Sequence, residues 1–340
     1  MRWVGLRLVA IVGLATCSCE AADTAGDTDD DDCPGPAVFA AALAIDSTQR
    51  AWIPHFAISP SCAPNGASSE SPTLALVSPE GVVTTRREPL LRYSIRAASA
   101  STYVAIASGG VALYDEATTT TLLSTPYGDA KAMGIGLDGT LFATIDTAAG
   151  RQLHRGGPDE QARPLDVASD VLGDLLVATA EGLVVIDPAR ATLRALDRDG
   201  AQRWLLHVSD VEVITGLAID DAGRIYVASR LPDVEGTATC RRVTEQGLVD
   251  PTFFVADSDG IDELASLSAS SQDGVICATS SGSTDGVTCF ELDGTPRWST
   301  GAYAEQVQVR QGHVWSLELD ATVVRRDIDG VELWRRSYLE

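Results

Sequence analysis

The chain has 340 residues, with 48 acidic against 25 basic side chains and a formal net charge of −23. A surface this negative repels phosphate backbones, which excludes nucleic acid as a partner. Lys131 is the only lysine and Asn65 the only asparagine, so mechanisms that need several of either are excluded too.

Residues 1–17 read as an export signal. Arg2 and Arg7 make a basic start, and Leu8 to Ala15 is an apolar run too short to span a bilayer. Leu14-Ala15-Thr16-Cys17 follows, then Ser18-Cys19. A small-residue stretch ending in Cys after the apolar run resembles the bacterial lipobox. The resemblance makes Cys17 the lipidated residue, with Cys19 as the alternative. Residues 18–36 form an acidic tether, Glu20 to Asp32, with no apolar side chain larger than Ala. Such a segment stays disordered and self-repelling. Lipobox plus acidic tether is similar to periplasmic or surface lipoproteins of bacteria. That implies an exported protein, lipid-anchored in the cell envelope at the outer membrane, on its periplasmic or surface face. The Asp run lacks the Gly and distal Glu of an EF-hand loop, so it is not read as a calcium loop.

Seven cysteines suit an oxidising compartment. Cys33 and Cys62 are placed to staple the tether to the first repeat. Cys277 and Cys289 flank a turn and are placed to face each other across a hairpin. Cys240 is read as the repeat equivalent of Cys289, and connectivity stays open.

Residues 37–340 carry a repeat. Leu43-Ala44-Ile45-Asp46 recurs as Leu217-Ala218-Ile219-Asp220, with Arg50 and Arg224 at matching positions. A small residue recurs at Pro54, Ala107, Ala143, Ala178, Ala228, Ala278 and Ser316. Its spacing averages about 44 residues, in the range of four-stranded propeller blades. A second element, D-G-x-x-x-W, occurs at Asp199–Trp204, Asp293–Trp298 and Asp329–Trp334. Its Asp-Gly reads as a hairpin turn. Trp204, Trp298 and Trp334 are read as interblade packing residues. The expected fold is all-β: a β-propeller of seven blades, each a four-stranded antiparallel sheet. The divergent first repeat also admits six or eight. Val38-Phe39-Ala40 is a candidate extra strand for ring closure.

These motifs resemble known families locally. D-G-x-x-x-W resembles the tryptophan-docking repeat of PQQ-type propellers. The Leu-Ala-Ile-Asp strand with Gly223-Arg224-Ile225-Tyr226-Val227-Ala228 resembles NHL and regucalcin-like propellers. Gly247 to Phe253 looks like one copy of a delta-type bacterial propeller repeat. The regucalcin-like resemblance implies a metal-dependent lactonase or related hydrolase with a divalent ion on the axis. Asp46, Asp138 and Asp220, read as matching turn carboxylates, are the candidates for Ca²⁺; capping of turns is the competing reading. The lone Asn65 sits in a turn-like sequence, which counts against that family's ligand set. Exposed aromatics repeated on one face would make a carbohydrate-binding propeller, but the Trp residues follow outer turns.

Four histidines, His55, His154, His207 and His313, are scattered among blades, with His55 read as nearest the axis. No HExxH, GxSxG or phosphate loop occurs. The sequence therefore reads as a non-catalytic protein-interaction or scaffold module, with no assigned catalytic, cofactor or metal residue and a protein partner in the cell envelope. The hydrolase and the carbohydrate binder are the alternatives.

Overall fold

In a computed structural model of the chain, the described residues are 37–40, 42–58, 73–87, 91–97, 103–107, 110–114, 119–124, 130–136, 138–157, 160–169, 172–173, 175–187, 191–209, 212–231, 238–255, 261–282, 286–318 and 321–339. Twenty-nine strands and no α-helix occur among them, so no helix there is long and apolar enough to cross a membrane. Cys17, Cys19, Cys33, Cys62, the signal and the tether lie outside the described residues.

The strands pair into consecutive antiparallel sheets. Sheet 1 holds β1 (Ala37–Ala40), β2 (Ala44–Ile45), β3 (Ala51–Ile58), β4 (Thr73–Val77) and β5 (Val83–Arg87). Sheet 2 holds β6 (Leu91–Ala97), β7 (Tyr103–Ala107), β8 (Gly110–Tyr114) and β9 (Thr119–Ser124). Sheet 3 holds β10 (Ala130–Ile135), β11 (Leu141–Thr147), β12 (Gly150–Gly157) and β13 (Glu160–Pro164). Sheet 4 holds β14 (Leu175–Thr179), β15 (Gly182–Asp187), β16 (Thr192–Asp197) and β17 (Gln202–His207). Sheet 5 holds β18 (Val213–Ile219), β19 (Ile225–Arg230), β20 (Thr239–Val243) and β21 (Val249–Val255). Sheet 6 holds β22 (Ile261–Ser270), β23 (Val275–Gly282), β24 (Gly286–Glu291) and β25 (Pro296–Ser299). Sheet 7 holds β26 (Ala304–Arg310), β27 (His313–Glu318), β28 (Thr322–Asp327) and β29 (Glu332–Ser337).

The first strands of successive sheets touch one another around an axis, and β26 touches β2 to close the circuit. This is a β-propeller of four-stranded antiparallel sheets. The expectation of seven four-stranded blades needs a correction: six sheets are four-stranded, and the first repeat makes a five-stranded sheet. The cause is a split inner strand. β1 and β2 both pair with β3, in registers one residue apart (Ala40↔His55, then Ala44↔Trp52). The same one-residue bulge recurs in innermost strands at Lys131, Thr215 and Glu305, where it increases the local bend.

Second strands are buried along nearly their whole length, as in β11, β15 and β19, because neighbouring sheets cover both faces. Fourth strands such as β17 and β29 face solvent. The recurrent small residue lies on the second strand at Pro54, Ala107, Ala143, Ala228, Ala278 and Ser316. Ala178 departs from this and sits on β14, the first strand of its sheet.

Val38-Phe39-Ala40 does add a strand, but to sheet 1, and among the described residues no strand is shared between the first and last sheets. Closure is made by side chains. Leu43, Ile45, Ile53 and Val77 of sheet 1 form one apolar cluster with Trp315, Leu317, Val323 and Tyr338 of sheet 7. Burial of that kind is worth roughly 1.5–3 kcal/mol per large side chain. Inner-edge backbone groups, which an open edge would leave unpaired, take partners from the preceding sheet of the ring. Ser266 and Ser268 Oγ accept from Val307 and Val309 N–H at 3.1 and 2.9 Å. Gln306 Oε1 accepts from Leu43 N–H at 2.7 Å across the seam.

Candidate functional site

The turn carboxylates come first because they are the candidate metal ligands. Asp46 N–H donates to Arg50 O, and Asp220 N–H donates to Arg224 O, so these two occupy one position in the first turn of their sheets. In sheet 3 that position belongs to Gly136, which bonds Thr140 O. Asp138 sits two residues further on and accepts from Thr140 N–H at 3.0 Å. The three aspartates are therefore not equivalent, and the expected match is corrected. The misreading came from the Asp-Gly pair in sheet 3; backbone pairing, not the dipeptide, sets the turn position.

Asp46 and Asp220 side chains are fully buried and saturated by protein donors. Asp46 Oδ1 accepts from Thr48 N–H, Thr48 Oγ1 and Arg50 N–H, at 2.8, 2.7 and 3.0 Å. Its Oδ2 accepts from Arg50 Nε and Trp52 Nε1, at 3.0 and 2.9 Å. Burial pushes this carboxyl up, but these hydrogen bonds outweigh it and hold the pKa below the ordinary value. Asp220 repeats the pattern with Ala222 N–H, Arg224 N–H, Arg224 Nε and Tyr226 Oη. Such carboxylates fasten a turn to the strand behind it and leave no lone pair aimed at solvent. Among the described residues no group of three His, Cys, Asp or Glu is arranged to hold a metal ion.

The tryptophans share one geometry. Trp204 Nε1 donates to Glu245 O at 2.7 Å, Trp298 Nε1 to Ile328 O at 3.0 Å, and Trp334 Nε1 to Pro79 O at 2.8 Å. Each acceptor lies two residues before the glycine of the outer turn in the following sheet. A Cβ at Gly247 would lie 2.6 Å from the Trp204 ring, and one at Gly330 2.8 Å from the Trp298 ring. Both glycines have positive φ, at 79° and 87°, so they serve the turn and seat the ring together. Of the Asp-Gly pairs only the glycine is left-handed. The cap is three residues earlier: Asp197 Oδ1 accepts from Asp199 and Ala201 N–H, and Asp327 Oδ1 from Asp329 and Val331 N–H.

Sequence reasoning missed the arginines that do the same work. Arg155 Nη1 donates to Arg198 O at 3.3 Å and Arg242 Nη1 to Leu292 O at 2.8 Å, again two residues before the turn glycine. Both arginines stand near the outer end of the third strand of their sheets. Where the outer strand supplies Trp, its cross-strand neighbour is small, as in Ala195↔Trp204 and Cys289↔Trp298. The last sheet uses both, since Arg325 Nη1 also reaches Pro79 O at 2.6 Å. The signal was present as Arg in outer repeats without Trp.

Cys277 and Cys289 are directly opposed on β23 and β24 and form a disulfide. Cys240 is a buried free thiol opposite Ala228, while Thr288 is opposite Ala278. It is therefore the equivalent of Thr288 rather than Cys289, one residue off and on the other sheet face. Burial pushes its thiol up to about 12.

The histidines do not converge. His154 lies on β12, His207 on β17 and His313 at the start of β27. His55 is on β3, a second strand, not on the inner strand expected. It packs beside Tyr338 with ring centroids 5.4 Å apart, and its buried Nδ1 has no hydrogen-bond partner. Burial pushes its imidazole pKa down, opposed by the Ile53 backbone.

The outer turns carry the most exposed aliphatic side chains. Val82, Leu248 and Val331 are 62%, 66% and 59% exposed. Each immediately follows the turn glycine of its sheet, so all three occupy one repeat position on the rim.

No protein-family model and no curated protein matches this sequence. Solved structures do match. Streptogramin B lyase is 10% identical, with 82% of this chain and 90% of that one covered at a TM-score of 0.60. A catalytically inactive virginiamycin B lyase from Staphylococcus aureus, solved with quinupristin, is 9% identical, with 85% and 94% covered and a TM-score of 0.59. A chain of a nidogen/laminin complex is 12% identical, with 69% and 92% covered and a TM-score of 0.51. At these identities the likeness shows the β-propeller fold alone.

Proposed function

We propose that this chain is an exported propeller, lipid-anchored in the bacterial cell envelope through Cys17 or Cys19, that binds a partner protein without catalysis. The observation that carries it is the placement of Val82, Leu248 and Val331. Exposed aliphatic side chains at one repeat position of sheets 1, 5 and 7 offer points of contact on the rim. The turns bearing them are already fixed by interblade docking, so little ordering cost remains for a partner to meet.

The test is a crosslinked pull-down of full-length protein from detergent-solubilised membranes, run beside the triple variant Val82→Asp, Leu248→Asp, Val331→Asp. A near-stoichiometric partner lost in the variant supports the reading. A partner retained undiminished moves the contact off the rim, and an empty pull-down from folded bait counts against partner binding. Anchoring is tested separately: Cys17→Ala with Cys19→Ala should release the protein from membranes.

A further inference from the structure

We infer that the seam between sheets 7 and 1 is a pH-sensitive latch: neutral His55 keeps it shut, and a proton on that ring loosens it while the other seams stay packed. The latch goes beyond the partner-binding reading and does not depend on a partner. Sheets 7 and 1 are the two neighbours that no loop joins, because they stand at opposite ends of the chain, and among the described residues they share no strand. Contacts made by side chains hold this seam. Ala51 and Ile53 of β3 belong to the apolar cluster shared with Trp315, Leu317 and Tyr338. By two-residue alternation His55 lies on that same face of β3, and it packs beside Tyr338 with ring centroids 5.4 Å apart. His55 is 8% exposed, and its Nδ1 is buried without a partner.

The groups around His55 disfavour an imidazolium. Tyr338 faces it from sheet 7, and Glu305 of β26 lies close enough to Tyr338 to raise its phenol pKa. Burial also pushes the Glu305 carboxyl up, so acid neutralises the carboxylate on this side of the seam. The cations on the packed elements add no attraction. Arg87 lies beyond Thr73 in the His55 register, Arg336 stands two residues before Tyr338, and Arg325 lies over the Trp315 ring. Asp46 and Arg50 pair in the turn before β3, while Glu318 pairs with Arg326 and Arg335 within sheet 7. β1 and β4 carry no titratable side chain, and sheet 2 lies against the other face of β3. Burial disfavours the charged ring more than the Ile53 backbone favours it. The open seam therefore binds the proton more tightly than the closed one, and acid favours opening. Past the other end of β4, Pro79 O holds both Arg325 and Trp334, so loosening is confined to the His55 end.

The experiment follows amide exchange of the full chain at about pH 7.5 and about pH 5.5, either side of the ordinary histidine value, with each rate divided by its intrinsic rate. Leu43 N–H, bonded to Gln306 Oε1 across the seam, should lose protection about tenfold at the lower pH, the factor that about one pH unit of difference in proton affinity supplies. Val307 and Val309 N–H, bonded to Ser266 and Ser268 Oγ across the neighbouring seam, should keep theirs. His55→Phe, which fills the site without titrating, and His55→Gln, which stays neutral, should both remove the acid response of Leu43. His154→Phe should leave that response in place, since loops join sheet 3 to both of its neighbours. Thermal melts at neutral pH show which variants fold, and one folded His55 variant suffices. Unchanged protection at Leu43, an equal loss at Val307 and Val309, or an acid response that survives in a folded His55 variant overturns the latch.

Discussion

Asp220 offers the sharpest test of whether the turn carboxylates are structural. Asp220→Ala strips a partner from Ala222 N–H, Arg224 N–H, Arg224 Nε and Tyr226 Oη together. The two backbone groups lie at a surface turn and recover water, so each costs about 1 kcal/mol. The Arg224 side chain is 32% exposed, and its ion pair is worth about 0.5 kcal/mol after screening. Tyr226 is fully buried, and its hydroxyl, left unpaired, costs about 1–3 kcal/mol. The expected loss is about 3.5–5.5 kcal/mol, a large fraction of a typical domain's stability. Urea denaturation of the wild type, Asp220→Ala, Tyr226→Phe and the double variant measures it. The double variant should recover about 1–2 kcal/mol relative to additivity, because no phenol is then stranded. Ca²⁺ should leave all four midpoints unchanged. A Ca²⁺-dependent rise in wild-type stability that vanishes in Asp220→Ala would refute the capping argument and restore the metal reading. A loss under about 1 kcal/mol would show that the hydrogen bonds carry little weight.

Three further outcomes are expected. Trp334→Phe, which removes the bond to Pro79 O and part of the ring contact, should cost about 1–2 kcal/mol, and Trp334→Ala about 2–3 kcal/mol, less than a fully buried tryptophan; chemical denaturation measures both. Burial lowers the pKa of His55, His154 and His313; because the unfolded chain then binds more protons, stability should fall as pH drops through about 6.5. Melts at neutral and mildly acidic pH should show that fall, and His55→Phe should reduce it. The Cys277–Cys289 bridge spans 12 residues and is fully buried, so native protein should resist dithiothreitol, while protein reduced after unfolding should refold about 3 kcal/mol less stable.

Much of the fold is legible in the sequence because propeller blades reuse turn chemistry and small residues at fixed intervals. The D-G-x-x-x-W pattern works because the glycine and the tryptophan answer two parts of one contact, the left-handed turn and the ring seated on the next one. Other features resist reading from letters alone. Asp138 carries the same Asp-Gly signal, yet the backbone pairs Gly136 with Thr140, and that register is a property of the whole sheet. In the split inner strand of sheet 1, Leu43 N–H takes its partner, Gln306 Oε1, from the far end of the chain. His55 looks axial only if its repeat begins with an unbroken inner strand. The rim position of Val82, Leu248 and Val331 is visible in sequence, but as turn residues they attract no notice until their exposure is known.

The docking chain runs in one direction, sheets 3 to 7 each reaching forward to the outer turn of the next through Arg155, Trp204, Arg242, Trp298 and finally Trp334 with Arg325. The last step brings the C-terminal sheet onto Pro79 of the first, so the ring closes by the same contact that builds it and needs no shared strand. This has a consequence for the rim. A turn held by a hydrogen bond to its second residue and a ring against its glycine has little freedom left for the residue that follows. Val82, Leu248 and Val331 are therefore presented on immobilised backbone. Pro79 O takes both the Arg325 and the Trp334 donor, so the seam between sheets 7 and 1 is fastened twice. A rigid aliphatic rim favours a partner whose segment can be ordered against it without disturbing the ring.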